Sequence, residues 1–277
     1  MTPTKLIIPP RPGVLMEIQN LMAADEPNIE DIAKLIKQDV SLYAILLSAV
    51  NSPWMGLSQS IESAEKAIAF MGLDRVFNLL QAVIVRSCFK DSPLNESFWS
   101  TASEVAAISD DLARRYKVCE PDTAYTLGML HNAGIPIMMS NIDGYEDFIG
   151  KHSHRAANEV CVLERKEFGT DHYLQGALMA KSWYLPEEVS LAIRYQPIAT
   201  SVLTGKKELP SSVAKLLAIV SMAKNISNEY RHYWNTEQCE NSDDILAASL
   251  EYLHICSNEF SELKEDHVED LMEEEVA

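Results

Sequence analysis

Between Asp122 and Met139 the chain reads D-T-A-Y-T-L-G-M-L-H-N-A-G-I-P-I-M-M. It is an apolar run holding one imidazole, His131, beside one carboxamide, Asn132. Imidazole exchanges a proton near neutrality and ligates metals; a carboxamide both donates and accepts hydrogen bonds. Inside an apolar run such a pair is either satisfied by hydrogen bonds as part of the core or lines a cavity. His172 follows Asp171, where capping and packing account for it as well as ligation does. His152 and His154, two apart on a short polar loop, could hold only an adventitious metal. His232, His254 and His267 stand in no arrangement with carboxylates beyond what so acidic a chain offers by chance. No nucleophile elbow, phosphate loop, dinucleotide fingerprint, H-E-x-x-H or C-x-x-C is present. The five cysteines, Cys88, Cys119, Cys161, Cys239 and Cys256, are scattered and odd in number, which reads as reduced thiols.

These residues must be positioned by helices. Ala124, Leu127, Gly128, Leu130 and His131 recur at helical spacing, predicting one buried helix from Cys119 to Met139, bent or stopped by Pro136. Val14, Leu15, Ile18, Leu21 and Met22 form a stripe on a helix opened by Pro12-Gly13. Asn28 caps Ile29 to Lys37, and Asp39 caps a helix whose stripe is Leu42, Ile45, Leu46, Ala49 and Val50. Trp54 to Leu57 reads as a loop whose apolar residues either pack back on the core or meet a partner. Ser60 to Phe70 is a short amphipathic helix with Gly72 as its C-cap, followed by a strongly apolar helix from Val76 to Phe89. Helices then follow over 96–117, 143–149, 159–168, from 171, from Leu185-Pro186 with the proline in the first turn, over 210–228 and over 242–256. Alternating patterns are few and no hairpin turn is flanked by strands. The fold class is all-α, with roughly a dozen helices joined by short loops.

Of 277 residues, 41 are acidic and 23 basic, a formal charge of −18. Direct nucleic-acid or anionic-membrane binding is disfavoured, because phosphate recognition needs clustered cations. The densest basic run, Arg114-Arg115-Tyr116-Lys117, reads as the cationic last turn of a helix. No run is apolar enough to span a membrane and the N-terminus has no signal-peptide core, so the expected compartment is the cytoplasm. Residues 205–277 change character. Phe260, Leu263, Val268, Leu271 and Met272 form an apolar stripe on a very acidic segment, which reads as a docked or partly detached tail.

Several segments, in order, resemble the HDOD family, the HD-related output domain of bacterial signalling proteins. They are P-P-R-P-G-V-L at Pro9 to Leu15, I-A-K-L-I-K-Q-D-V-S-L-Y-A-I-L-L-S-A-V-N-S at Ile32 to Ser52, and A-I-A-F-M-G-L-D-R-V-F-N-L-L at Ala67 to Leu80. Phe98-Trp99, L-G-M-L-H-N-A-G at Leu127 to Gly134, E-x-x-x-F-G-T-D-H at Glu164 to His172, and W-Y-L-P-E-E-V-S-L-A-I at Trp183 to Ile193 complete the match. The resemblance implies a multi-helical, two-lobed fold: an N-terminal lobe over 1–92, a lobe related to HD-type phosphohydrolases over 93–204, and a helical extension with an acidic tail over 205–277.

The resemblance also frames the chemistry. HD enzymes hold divalent ions with histidines and aspartates from several helices. Here a first metal histidine would fall near Thr101, the aspartate of the H-D pair is Asn132, and the last aspartate falls at Ser221 to Lys224, with Lys224 in its place. Only His131 and His172 match ligand-type residues. The reading is a non-catalytic signalling or scaffold domain with no metal and no cofactor. It would bind a signalling protein partner, or a small anionic ligand at His131, Asn132, Thr101, His172 and Lys224. The alternative is a phosphohydrolase with a reduced site for manganese, iron or zinc, using His131, His172 and carboxylates among Asp122, Asp143 and Asp171. Input is expected from another chain, and the oligomeric state is left open.

Overall fold

The computed structural model describes residues 6, 13–24, 26–38, 42–43, 46–47, 50–51, 61, 63–87, 93–183, 185–234 and 242–276, without the side chains of 82–87, 93–97, 229–234, 242–243, 270 and 273–276. These residues are helices and turns, with no strand among them. No helix among them is long and apolar enough to cross a membrane. The chain divides into two compact units, 9–89 and 90–277 with 1–8.

The first unit contains α1 (Gly13–Met22), α2 (Ile29–Gln38), α3 (Ala64–Met71) and α4 (Leu73–Ser87). Helix α1 packs on α2 and α4, and α3 packs on α2 and α4. The predicted stripes point inward: Leu15 and Ile18 of α1, and Ile32, Ala33 and Ile36 of α2, are buried. Asn28 accepts from the Glu30 amide at 2.9 Å, which satisfies one of the orphan donors at the start of α2. Gly72 ends α3 at φ 87°, a backbone state that a side chain resists. Leu42, Leu46 and Val50 are buried as expected; Asp39, Ile45, Ala49 and Trp54 to Leu57 lie outside the described residues. The Asn51 carboxamide donates to the Leu47 and Ile61 carbonyls, each at 2.8 Å, and accepts from the Ile61 amide at 2.6 Å. The asparagine of the N-S pair thus ties two chain segments together.

The second unit contains α5 (Pro93–Tyr116), α6 (Pro121–Leu130), α7 (Gly134–Asn141), α8 (Tyr145–His152), α9 (Ala157–Phe168), α10 (His172–Ser182) and α11 (Glu187–Tyr195). A 3₁₀ turn (Gln196–Ile198), α12 (Ala199–Leu203), α13 (Ser211–Trp234), α14 (Ser242–Leu253) and α15 (Ser257–Val276) complete it. The organising element is α13, which packs against α5, α6, α11, α12, α14 and α15. Its residues Leu216 to Val220 are all buried, and a helix apolar on all sides must be enclosed by neighbours.

Three expectations need correction. The single helix over 119–139 is two helices, because the chain turns at His131, Asn132 and Ala133 before Pro136 is reached. Pro136 then sits in the first turn of α7, where a missing N–H leaves no hydrogen bond unmade. Pro186 is the N-cap of α11, not a residue of its first turn. His152 is not on a loop: it ends α8, its ring centroid 4.6 Å from that of Phe148.

At Leu253 helix α14 stops through a Schellman arrangement. The Ile255 amide donates to the Leu250 carbonyl at 2.9 Å, the His254 amide to Glu251 at 3.2 Å, and His254 takes φ 58°. Arg114 lies in the last turn of α5, as the basic run predicts, and forks onto Asp110 at 2.9 and 3.1 Å. The acidic tail is helical as α15, with Phe260, Leu263, Val268 and Leu271 buried. Lys264 donates to the Asn225 side chain of α13 at 3.1 Å.

Candidate functional site

Two glycines hold the turn that carries His131 and Asn132. A Cβ built on Gly128 would lie 2.6 Å from the Ala106 Cα and 2.8 Å from the Val105 carbonyl oxygen, so α6 touches the α5 backbone here. A Cβ built on Gly134 would lie 1.7 Å from the His172 carbonyl oxygen and 2.8 Å from the Gly176 amide nitrogen. Helix α7 therefore starts directly on the backbone of α10. The segment between the glycines is fastened at both ends, which sets the position of the imidazole.

His131 is buried, with Nδ1 2.6 Å from the Gly128 carbonyl oxygen. A carbonyl only accepts, so Nδ1 carries the proton of the neutral ring and Nε2 carries the lone pair. Burial pushes the pKa of this imidazole down to about 3; the Lys224 ammonium and His172 push the same way, against the Gly128 bond. An unfolded histidine, at about 6.5, takes up a proton that the folded one refuses. Stability from this residue is therefore complete above about pH 6.5 and falls as the pH drops towards 3. The expected loss is about 2 kcal/mol between pH 7 and pH 5. Urea unfolding of wild type and His131→Gln at both pH values tests this: equal pH dependence of the two would refute it.

Gln196 links this turn to α13. Its Nε2 donates to the His131 carbonyl at 2.7 Å, and its Oε1 accepts from Lys224 Nζ at 3.5 Å. His131 and Lys224, predicted together, are thus joined through a residue that sequence reasoning missed. Gln196 stands outside every motif, just past the W-Y-L-P helix, and only the 3₁₀ turn brings it inward. The Asn132 side-chain oxygen is buried with no hydrogen-bond partner among the described residues. Thr101 is half-buried on α5. With Ala106 against Gly128 in an antiparallel pair, Thr101 is within about one turn of the level of Asn132. Ser227 of α13 donates to Glu104 of α5 at 2.9 Å, one turn along each helix from Lys224 and Thr101.

His172 belongs to a buried cluster beside this turn. Its Nδ1 lies 2.7 and 2.9 Å from the two Glu164 carboxylate oxygens, and its amide donates to Glu164 at 3.2 Å. The Tyr145 hydroxyl donates to the same carboxylate at 2.5 Å. Burial and the Glu164 charge hold the Tyr145 pKa well above its ordinary value, so the phenol keeps its proton. Glu164, fully buried, is a second residue that sequence reasoning quoted in a motif but gave no role. Asp171 caps α10 by accepting from the Leu174 amide at 2.8 Å, and also meets Arg165 at 2.7 Å and Arg194 at 3.6 Å. Asp143 is exposed. Asp122 lies in the first turn of α6, nine residues and ~13 Å of helix from His131.

A helical fold with a histidine–carboxamide turn buried among α5, α6, α7, α10 and α13 defines an HD-like domain. A family model for the HDOD domain matches residues 8–198, and the chain belongs to that family. An uncharacterized protein of Treponema pallidum (strain Nichols) is 29% identical over 213 residues, 75% of this chain and 41% of that protein. The Bacillus subtilis (strain 168) protein YuxH is 35% identical over 104 residues, 38% of this chain and 23% of YuxH. The chain thus spans less than half the length of either relative. Among solved structures, a candidate phosphohydrolase of Shewanella amazonensis SB2B aligns with TM-score 0.68 at 22% identity, covering 94% of this chain and 90% of that one. An HDOD domain protein of Geobacter sulfurreducens aligns with TM-score 0.61 at 21% identity, covering 88% and 84%. A candidate signal transduction protein of Marinobacter aquaeolei VT8 aligns with TM-score 0.68 at 21% identity, covering 95% and 57%. At these identities the likeness is one of fold.

The HD fold implies divalent ions, and the donor set described here fits them poorly. A two-plus ion needs anionic oxygen ligands to offset its charge. Asn132 is neutral and Lys224 is a cation. The Glu164 carboxylate accepts three hydrogen bonds, and Asp171 is engaged by a backbone amide and two arginines. Among the described residues no three His, Cys, Asp or Glu side chains are grouped to hold a metal. The cysteines offer no nucleophile in their place: burial raises the Cys119 pKa to about 11 and pushes the Cys161 thiol up as well, which leaves little thiolate.

Proposed function

We propose that this HDOD domain is a non-catalytic signal-transduction module that presents its helical surface to a signalling protein partner. The observation that carries the reading is the chain of contacts from Lys224 through Gln196 to His131. Through it an ammonium, not a carboxylate, is linked to the backbone carbonyl of the residue that bears the buried imidazole. An anionic ligand is the small molecule such a site would take, with Asn132, Thr101 and Lys224 supplying donors. Metal analysis of the full, untagged chain grown with manganese, iron and zinc is the direct test. Metal well below one equivalent, unchanged by His131→Ala, is expected. A full equivalent that vanishes in His131→Ala, with phosphodiesterase activity, would overturn the proposal.

One observation favours the second reading, a reduced phosphohydrolase. His131 and His172 each hold Nδ1 against an oxygen, His131 against a carbonyl and His172 against Glu164. That is how ligating histidines are oriented in metal sites, with Nε2 directed away from the hydrogen bond. The same metal analysis separates the two.

A further inference from the structure

We propose that α15 is a strap that opens from α13 while the rest of the second unit stays folded, and that repulsion among its own carboxylates sets how readily it opens. The inference is independent of the His131 turn and concerns the acidic tail, which the proposed function leaves unused. Phe260, Leu263, Val268 and Leu271 are buried where α15 packs on α13. Two polar contacts add to this stripe: Lys264 donates to Asn225 of α13 at 3.1 Å, and His267 Nε2 lies 3.1 Å from Asp111 Oδ2 of α5. The solvent side of the helix works against them. Over residues 257–276 the sequence carries nine carboxylates and one lysine. Glu259, Glu262, Glu265, Asp266 and Glu269 are exposed, and they make five like-charged pairs three or four positions apart. Residues at these spacings are neighbours on a helix surface, so each such pair weakens the helix. Helical stability in proteins comes mostly from packing of the apolar stripe, so α15 and its docking form or melt together. The join permits this. Helix α14 closes with its own Schellman arrangement, and only His254 to Cys256 lie between the two helices. The strap can thus leave without unwinding α14. Closed, it hides the α13 surface at Asn225; open, it exposes that surface.

The test is hydrogen exchange of the full-length chain, read by mass spectrometry as α15 protection relative to α13. A free peptide of residues 257–277 at each salt concentration supplies the intrinsic rates. Salt screens repulsion between exposed charges, so raising potassium chloride from roughly 20 mM to roughly 500 mM is expected to raise the α15 ratio severalfold. Glu262→Gln with Asp266→Asn and Glu269→Gln removes all five like-charged pairs. This triple change is expected to raise the ratio about tenfold at low salt. Phe260→Ala, which thins the apolar stripe, is expected to lower α15 protection about tenfold or more with α13 and α14 unchanged. A ratio that fails to rise with salt, or that the triple change leaves where it was, shows that self-repulsion does not govern the strap and overturns the inference. Equal loss of protection in α13, α14 and α15 of Phe260→Ala overturns it too, since the three helices then open as one body.

Discussion

Gly134→Ala is expected to unfold or severely destabilise the second unit, by about 3 kcal/mol or more. The added methyl would sit 1.7 Å from the His172 carbonyl oxygen, 2.5 Å from its carbonyl carbon and 2.8 Å from the Gly176 amide nitrogen. All three are backbone atoms, so no side-chain rotation relieves the clash and α7 must move away from α10. Interiors close-packed to crystal density absorb such a shift only by opening gaps elsewhere. The same movement drags the His131 turn from Gln196 and breaks the 2.7 Å bond between them. Gly150→Ala is the control. Its site, an exposed position of α8, has nothing within 4 Å of the new methyl, and alanine in a helix interior is favoured over glycine by up to about 1 kcal/mol. Urea unfolding of both variants decides the matter: similar midpoints would show that α7 and α10 do not meet as described.

Glu164→Leu is expected to cost about 3–5 kcal/mol. The carboxylate is fully buried and serves three donors, the Tyr145 hydroxyl and the His172 amide and ring N–H. Leucine fills much of the volume but leaves those donors unpaired where water cannot reach them, and each buried orphan carries a desolvation penalty. Tyr145→Phe in the Glu164→Leu background removes one orphan and should recover about 1 kcal/mol or more. A double-mutant cycle on this pair reads the coupling directly. If the two changes add with no interaction, the hydroxyl and the carboxylate do not share a hydrogen bond. Glu164→Gln, which keeps an acceptor oxygen, should fall between Leu and wild type.

Helix-level organisation was legible from residue order. The spacing of Leu15 and Ile18, of Ile32 and Ile36, and of Leu42, Leu46 and Val50 reports the buried faces of the first unit, because burial of an apolar stripe depends on a 3.6-residue period that neighbours in sequence reveal. Caps at Asn28, Gly72 and Asp171 were equally readable, since each satisfies a local backbone group. The family was legible for the same reason: its motifs are runs of adjacent residues.

The break at His131 was not. Pro136 is the residue whose local chemistry announces a helix end, yet the chain turns five residues earlier. Gly128 and Gly134 must press against Ala106 and His172, and no local rule encodes a contact with residues 22 and 38 positions away. The electrostatics divide in the same way. From the sequence alone, His131 with Asn132 and the cation at Lys224 were identifiable as the residues that could do chemistry, and the excess of carboxylates spoke against nucleic acid. Only the tertiary structure decided that Gln196 ties Lys224 to the His131 carbonyl, that Glu164 is spent on His172 and Tyr145, and that Asp171 belongs to arginines. Residue type is a local property that the sequence carries in full. Which charges meet, and whether a carboxylate is free to serve a ligand, depends on helices that are distant along the chain being packed side by side.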